Sequence, residues 1–191
     1  MDDRAVVVGA SVGGVKALQN VLAPLPADFA LPILVVQHRM PAPDDFLVFS
    51  LSESCRLTVK EADEKESIKP GHVYVAPANY HLLVERGKTL SLSVDDRVCY
   101  SRPSIDVLFE TSAEVYHSGL IGVVLTGANH DGTAGLKKIK EKGGLTIVQD
   151  PATAESAYMP RSAIQEAVVD KILSLAEIAS FLSRCSQAWS V

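Results

Sequence analysis

A doubly wound α/β fold, in which a mostly parallel sheet is covered by helices on both faces, is what the sequence predicts, and three observations carry it. Short, continuously apolar runs recur along the 191 residues, each the length of a strand. Longer amphipathic stretches separate them. Within the runs polar residues do not alternate with apolar ones, the pattern of strands buried on both faces by flanking helices.

In chain order, Ala5–Val8 reads as a buried strand that stops at Gly9, and Val15–Leu22 as a helix ended by Pro24 and Pro26. Ile33–Val36 is a second buried strand, followed by a polar loop and an apolar-periodic stretch at Phe46–Ser52. The middle breaks the pattern. His72–Ala76, Leu82–Glu85 and Leu90–Val94 are separated by turn residues, including Arg86-Gly87-Lys88, and read together as a small antiparallel insertion with a hairpin at Gly87. Arg102-Pro103 then precedes a helix over Ser104–Val115, with Ser104 as its N-cap. Ile121–Leu125 is a strand, Ala134–Lys142 a helix closed by Gly143-Gly144, Leu145–Val148 a further strand and Leu175–Leu182 a last helix.

With 47% hydrophobic residues the chain has enough apolar surface for one sizeable core, so a single domain is expected and global disorder is excluded. A formal net charge of −5 argues against a nucleic-acid binder, which needs a basic face. No window is long and apolar enough to insert in a membrane, and Met1-Asp2-Asp3-Arg4 lacks the apolar run of a signal peptide, so the protein is expected to be cytoplasmic. Cys55, Cys99 and Cys185 are odd in number and far apart, which suits neither a disulfide framework nor a metal site; they are expected to be packing residues.

Three polar residues stand just beyond three strands: Ser11 after Ala5–Val8, His38 after Ile33–Val36 and Asp131 after Ile121–Leu125. A doubly wound sheet gathers residues beyond the carboxyl ends of its strands into one crevice. Their chemistry is complementary. A serine hydroxyl needs a base to take its proton, imidazole can accept and return that proton near neutrality, and a carboxylate can fix the ring's tautomer. The surroundings of Ser11, Gly9-Ala10-Ser11-Val12-Gly13-Gly14, allow a sharp strand-to-helix turn whose backbone N–H groups could stabilise an oxyanion.

Each residue also has a plainer reading. The glycine-rich turn could bind phosphate or serve packing alone, His38 could be a core histidine, and Asp131 could merely cap the helix that follows it. The dinucleotide fingerprint has glycine where this chain has Ser11, which weakens that alternative. The order Ser, His, Asp differs from that of α/β-hydrolases, and that fold is set aside. His130 is a competing base on the same loop as Asp131, and His72, His81 and His117 read as structural or rim residues.

Six ordered segments settle a resemblance: GASVGG at 9–14, VVQHRMP at 35–41, VYVAPANYHLLV at 73–84, SRPSIDVLFETSA at 101–113, LTGANHDGTAGL at 125–136 and VQDPATAESAYMPRSAI at 148–164. The chain resembles, over nearly its whole length, the catalytic domain of the CheB-type chemotaxis protein-glutamate methylesterases. The resemblance implies hydrolysis of glutamate methyl esters on chemoreceptors, with release of methanol and often deamidation of receptor glutamines. It puts Ser11 on the nucleophile, His38 on the general base and Asp131 on the third triad position, with no metal or organic cofactor. The partners implied are the methylated cytoplasmic helices of chemoreceptors, and a monomer is expected.

Two departures qualify it. Many members read GASTGG where Val12 stands, and TGMG where Thr126-Gly127-Ala128-Asn129 stands. The family's oxyanion site near that methionine uses a backbone N–H, which Ala128 also has, so Val12 and Ala128 are the backbone candidates here. Two-domain members also carry a receiver domain ahead of the catalytic domain. Within these 191 residues the first strand begins too early to leave room for one, so the chain is read as a stand-alone form or an excised domain, and phosphodonors are expected not to change its rate.

Overall fold

The computed structural model describes residues 4–40 and 46–188; Met1, Asp2 and Asp3, and Pro41, the last residue of the VVQHRMP segment, lie outside them. In chain order the elements are β1 (Ala5–Ala10), α1 (Gly14–Leu22), β2 (Ile33–Gln37), α2 (Phe46–Ser54), β3 (Thr58–Glu61), β4 (His72–Val75), β5 (His81–Val84), β6 (Leu90–Ser93), α3 (Ile105–Tyr116), β7 (Leu120–Val124), α4 (Thr133–Glu141), β8 (Leu145–Gln149), α5 (Tyr158–Glu166), β9 (Lys171–Leu173) and α6 (Leu175–Ala188). Seven strands form one sheet in the order β3-β4-β2-β1-β7-β8-β9, and every pairing in it is parallel. β5 and β6 form a separate antiparallel pair. No helix among the described residues is long and apolar enough to cross a membrane.

The sheet has a core on each side because β1 is apolar in both directions. Val6, Val8 and Ala10 point to one face, where they meet Leu18, Leu22, Ile178 and Leu182. Ala5 and Val7 point to the other, with Leu108, Phe109, Leu136 and Ile139. This is the expected doubly wound arrangement, with α1, α2 and α6 against one face and α3, α4 and α5 against the other. Gly9 faces α3, and a Cβ there would overlap the Ile105 side chain. That close approach seats the first turn of α3 on the end of β1, from which Ser11 emerges.

One strand assignment is corrected. His72–Val75 does not belong to the antiparallel insertion: β4 lies inside the main sheet, parallel to both β2 and β3, with Val73, Tyr74 and Val75 buried. A run of four residues carries no information on its partner, and burial on both faces is what a central parallel strand requires. The hairpin itself is confirmed as β5–β6, although the left-handed residue at its tip is Lys88 (φ 55°) rather than Gly87. The expected cap at Gly143-Gly144 also forms, with Gly143 at φ 83° and the Gly144 N–H donating to Ile139 O at 2.9 Å. Three elements carried no readable signal. β3 and β9 are short, half-exposed edge strands, and α5 includes Pro160 in its first turn, where the missing N–H has no intrahelical acceptor to lose.

Candidate active site

The strand register brings the expected residues together. Ala10 of β1 is paired with Gln37 of β2, and Gly9 with Val124 of β7, so the next positions, Ser11, His38 and the Leu125–Thr126 segment, leave the sheet side by side. Sheet-like bonds persist past the strand ends: His38 N–H donates to Ala10 O (3.0 Å), Leu125 N–H to Gly9 O (2.9 Å) and Ser11 N–H to Thr126 O (2.9 Å). Gln37, 5% exposed, adds a side-chain clamp, its Nε2 donating to Ser11 O (2.8 Å) and to His38 O (2.9 Å). Gly14 makes room for that clamp, since a Cβ there would overlap Gln37 Oε1 and stand 2.8 Å from Ala10 Cβ.

His38 bridges Ser11 and Asp131. Its Nδ1 lies 3.2 Å from Ser11 Oγ and its Nε2 2.8 Å from Asp131 Oδ2. A carboxylate beside Nε2 places the ring proton on that nitrogen and leaves the Nδ1 lone pair facing the serine hydroxyl. The imidazole is nearly enclosed, with 11% of its side chain exposed, while Asp131 is fully buried.

Asp131 is also the N-terminal cap of α3. Its Oδ2 accepts from Ile105 N–H (2.7 Å), and its Oδ1 from Asp106 N–H (3.0 Å) and the Ser104 hydroxyl (2.9 Å). Burial on its own would raise the Asp131 pKa, but the bonds from His38, Asp106 N–H and Ile105 N–H outweigh it and hold the carboxyl below its ordinary value. Ser104, the expected N-cap, does accept from Val107 N–H at 3.5 Å, yet the shorter bonds at this helix end come from Asp131, 25 or more residues further along the chain. Asp106 returns the favour to α4, its Oδ1 accepting from Gly132 N–H (2.9 Å) and Gly135 N–H (2.7 Å). Burial first, and then the charge of Asp131, push Asp106 up to about 6.

The two oxyanion candidates flank the serine. Among the described residues, the N–H groups of Val12 and Ala128 have no hydrogen-bond partner. The Ala128 segment is held close by Gly127, where a Cβ would lie 3.0 Å from Ser11 Cβ and 2.7 Å from Met159 Sδ. Thr126 Oγ1 donates to Val12 O (2.8 Å), tying both segments together. Cys99, Asp106 and Asp131 each bring one potential metal-ligand atom within 4.8 Å of the others, but the carboxylates are taken up in capping α3 and α4.

The family model of the CheB methylesterases matches residues 6–182 of the chain. This chain belongs to the CheB methylesterase family. A crystal structure of the Thermotoga maritima CheB methylesterase catalytic domain superposes with a TM-score of 0.92 at 38% identity, covering 97% of this chain and 100% of that one. A relative in Leptospira interrogans (strain Fiocruz L1-130), provisionally named protein-glutamate methylesterase/protein-glutamine glutaminase, is 56% identical over 187 residues, 98% of this chain and 97% of that protein. A Paraburkholderia xenovorans protein named protein-glutamate methylesterase/protein-glutamine glutaminase is 41% identical over 92% of this chain but 49% of its own length. The chain therefore spans about half of that relative and nearly all of the Leptospira one.

Two further residues beside His38 were not legible in the sequence as its neighbours. Ser101 Oγ and Asn129 Nδ2 lie 3.5 and 3.4 Å from His38 Nδ1, although neither stands directly after an apolar strand. His81 was expected to be structural and is: fully enclosed, it accepts from Ser104 N–H through Nδ1 (3.1 Å), and its Nε2 lies 3.0 Å from Asp96 O, joining the hairpin to the start of α3. His130 faces Cys99 Sγ at 3.5 Å instead of Ser11. Cys55 and Cys185 pack against the core as expected. Cys99 differs: it sits by His130 and Asp106, and burial together with the nearby carboxylates of Asp131 and Asp106 pushes its thiol up to about 11.

Proposed function

We propose that the chain hydrolyses glutamate methyl esters on the cytoplasmic helices of chemoreceptors, with Ser11 as nucleophile, His38 as general base and Asp131 as the carboxylate that orients it. The observation that carries this reading is His38 placed between Ser11 Oγ at 3.2 Å and Asp131 Oδ2 at 2.8 Å. Ser11 Oγ attacks the ester carbonyl as its proton passes to His38 Nδ1, and the N–H groups of Val12 and Ala128 receive the oxyanion. Collapse of the tetrahedral intermediate expels the methoxy group, which takes the proton from Nδ1 and leaves as methanol. Asp131, kept ionised, stabilises the imidazolium throughout through Nε2–H. A water then releases the acyl group from Ser11 as glutamate.

A groove lined by Arg39, Met40, Arg97, Tyr100 and Arg102 opens beside His38. Its mixture of cationic and apolar side chains suits an amphipathic helix that carries glutamates. Deamidation of receptor glutamines is a second activity of the same site, because amide and ester pass through the same kind of tetrahedral intermediate; the glutaminase part of the relatives' names favours it.

The test is methanol release from radiomethylated receptor membranes of the source organism. Ser11→Ala and His38→Ala should each remove nearly all turnover, and the double variant should be little worse than either alone, because residues acting as a unit are non-additive. Normal turnover by folded Ser11→Ala protein would remove the nucleophile assignment.

A further inference from the structure

The imidazole of His38 has more polar neighbours than the first half of the reaction uses. Its Nδ1 offers one lone pair, and Ser11 Oγ is the nearest group to it at 3.2 Å. Ser101 Oγ and Asn129 Nδ2 stand further off, at 3.5 and 3.4 Å, and 3.5 Å from each other. These separations are long for direct hydrogen bonds. They suit a shared partner instead. The three atoms form a nearly equilateral triangle, and an oxygen set above its centre at an ordinary hydrogen-bond length of about 2.8 Å reaches all three corners.

Both outer corners are held in place. The Asn129 amide has its orientation set from behind, because Oδ1 accepts the Asp131 N–H at 3.2 Å and so turns Nδ2 toward His38. Ser101 ends a tight turn closed by two backbone bonds, Val98 N–H to Ser101 O (3.2 Å) and Ser101 N–H to Val98 O (2.9 Å). The central residues of that turn, Cys99 and Tyr100, are both left-handed, at φ 49° and 63°. Glycine, asparagine and aspartate are the usual occupants of such positions, and strain of this kind in other side chains concentrates at functional sites.

We infer that Ser101 and Asn129 are positioning residues for the water that hydrolyses the acyl-Ser11 intermediate; the inference rests on Ser11 being the nucleophile. Once Ser11 is acylated, its Oγ no longer carries a proton, and the nucleophile that replaces it must donate to the same Nδ1. A water over the triangle donates to Nδ1, accepts from Asn129 Nδ2 and exchanges a bond with the Ser101 hydroxyl. Its oxygen bonds to the acyl carbon as its proton moves to Nδ1. The carbon–Oγ bond of Ser11 then breaks, Oγ regains the proton from Nδ1, and the product acid gives its remaining proton to solvent.

The experiment is stopped-flow hydrolysis of 4-nitrophenyl acetate by the purified chain and by Ser101→Ala, Asn129→Ala and Asn129→Asp. The last keeps the acceptor for Asp131 N–H but replaces the amide donor with a negative charge beside His38. The neutral Ser101→Ala and Asn129→Ala therefore carry the comparison of the two phases, and Asn129→Asp is read only for adduct accumulation. The first release of nitrophenolate should stay within about twofold of the parent, whereas steady turnover should fall by about tenfold to a hundredfold, the usual cost of a misplaced reactant. Intact-mass measurement should find the acetyl group accumulating on Ser11, and hydroxylamine should restore turnover more in the variants than in the parent. A parallel fall of both phases, or no change in either, would overturn the inference. Absence of an acetyl adduct in every form, the parent included, would instead remove the nucleophile assignment beneath it.

Discussion

Replacing Asp131 with alanine should destabilise the fold as much as it disables the site. The carboxylate is fully buried and accepts from Ile105 N–H at 2.7 Å, Asp106 N–H at 3.0 Å, Ser104 Oγ at 2.9 Å and His38 Nε2 at 2.8 Å. Alanine leaves two amides in the first turn of α3 without an acceptor, and each orphaned buried donor costs about 1–3 kcal/mol. The Ser104 hydroxyl can turn elsewhere, and Asp106 loses a repulsive neighbour, which offsets part of the loss. The net expectation is about 3 kcal/mol. Urea unfolding at neutral pH is the assay, since a carboxyl held below its ordinary pKa contributes its full stabilisation there and loses it only as pH falls through the folded value. With a urea slope of about 2 kcal/mol/M, the midpoint should move down by about 1.5 M. His38→Ala, which leaves three of the four donors satisfied, should move it far less. A shift under about 0.5 M for Asp131→Ala at unchanged slope would refute the capping role.

Asp106→Asn should act in the opposite direction. With the folded pKa raised to about 6, the stabilisation tied to this group is present at pH 4 and below and is lost as pH rises through 6. Asparagine keeps an acceptor for Gly132 and Gly135 and removes the charge, so the variant should gain about 1–2 kcal/mol at pH 7.5 and converge on the parent toward pH 4. Urea midpoints at the two pH values check this; a variant weaker at both would contradict it. Gly14→Ala should displace the Gln37 clamp and lower methanol release by about tenfold, with a stability loss of about 1–3 kcal/mol from overpacking. Full activity in that variant would show that the clamp does not position Ser11.

Much of this architecture is written locally. The apolar runs of β1, β2, β7 and β8 announce strands buried on both faces, and the residues that follow such strands must emerge at one edge of a parallel sheet. Ser11, His38 and Asp131 could therefore be singled out without coordinates, as could the hairpin and the start of α3. What stayed hidden depends on partners distant in the chain. His72–Val75 reads the same whether it joins a hairpin or enters between β2 and β3, because a run of four residues does not encode its neighbours. Ser101 and Asn129 sit on loops with no periodicity to mark them, and they reach His38 only because a strained turn and the Asp131 loop converge there. Asp131 shows the division most clearly. Its chemical type and its place after a strand could be read from the residues alone, whereas its second task, closing a helix that begins 26 positions earlier at Ile105, follows from α3 packing against Gly9 at the end of β1. Hydrogen-bond geometry is decided by where the backbone comes to rest, and only the packed fold sets that.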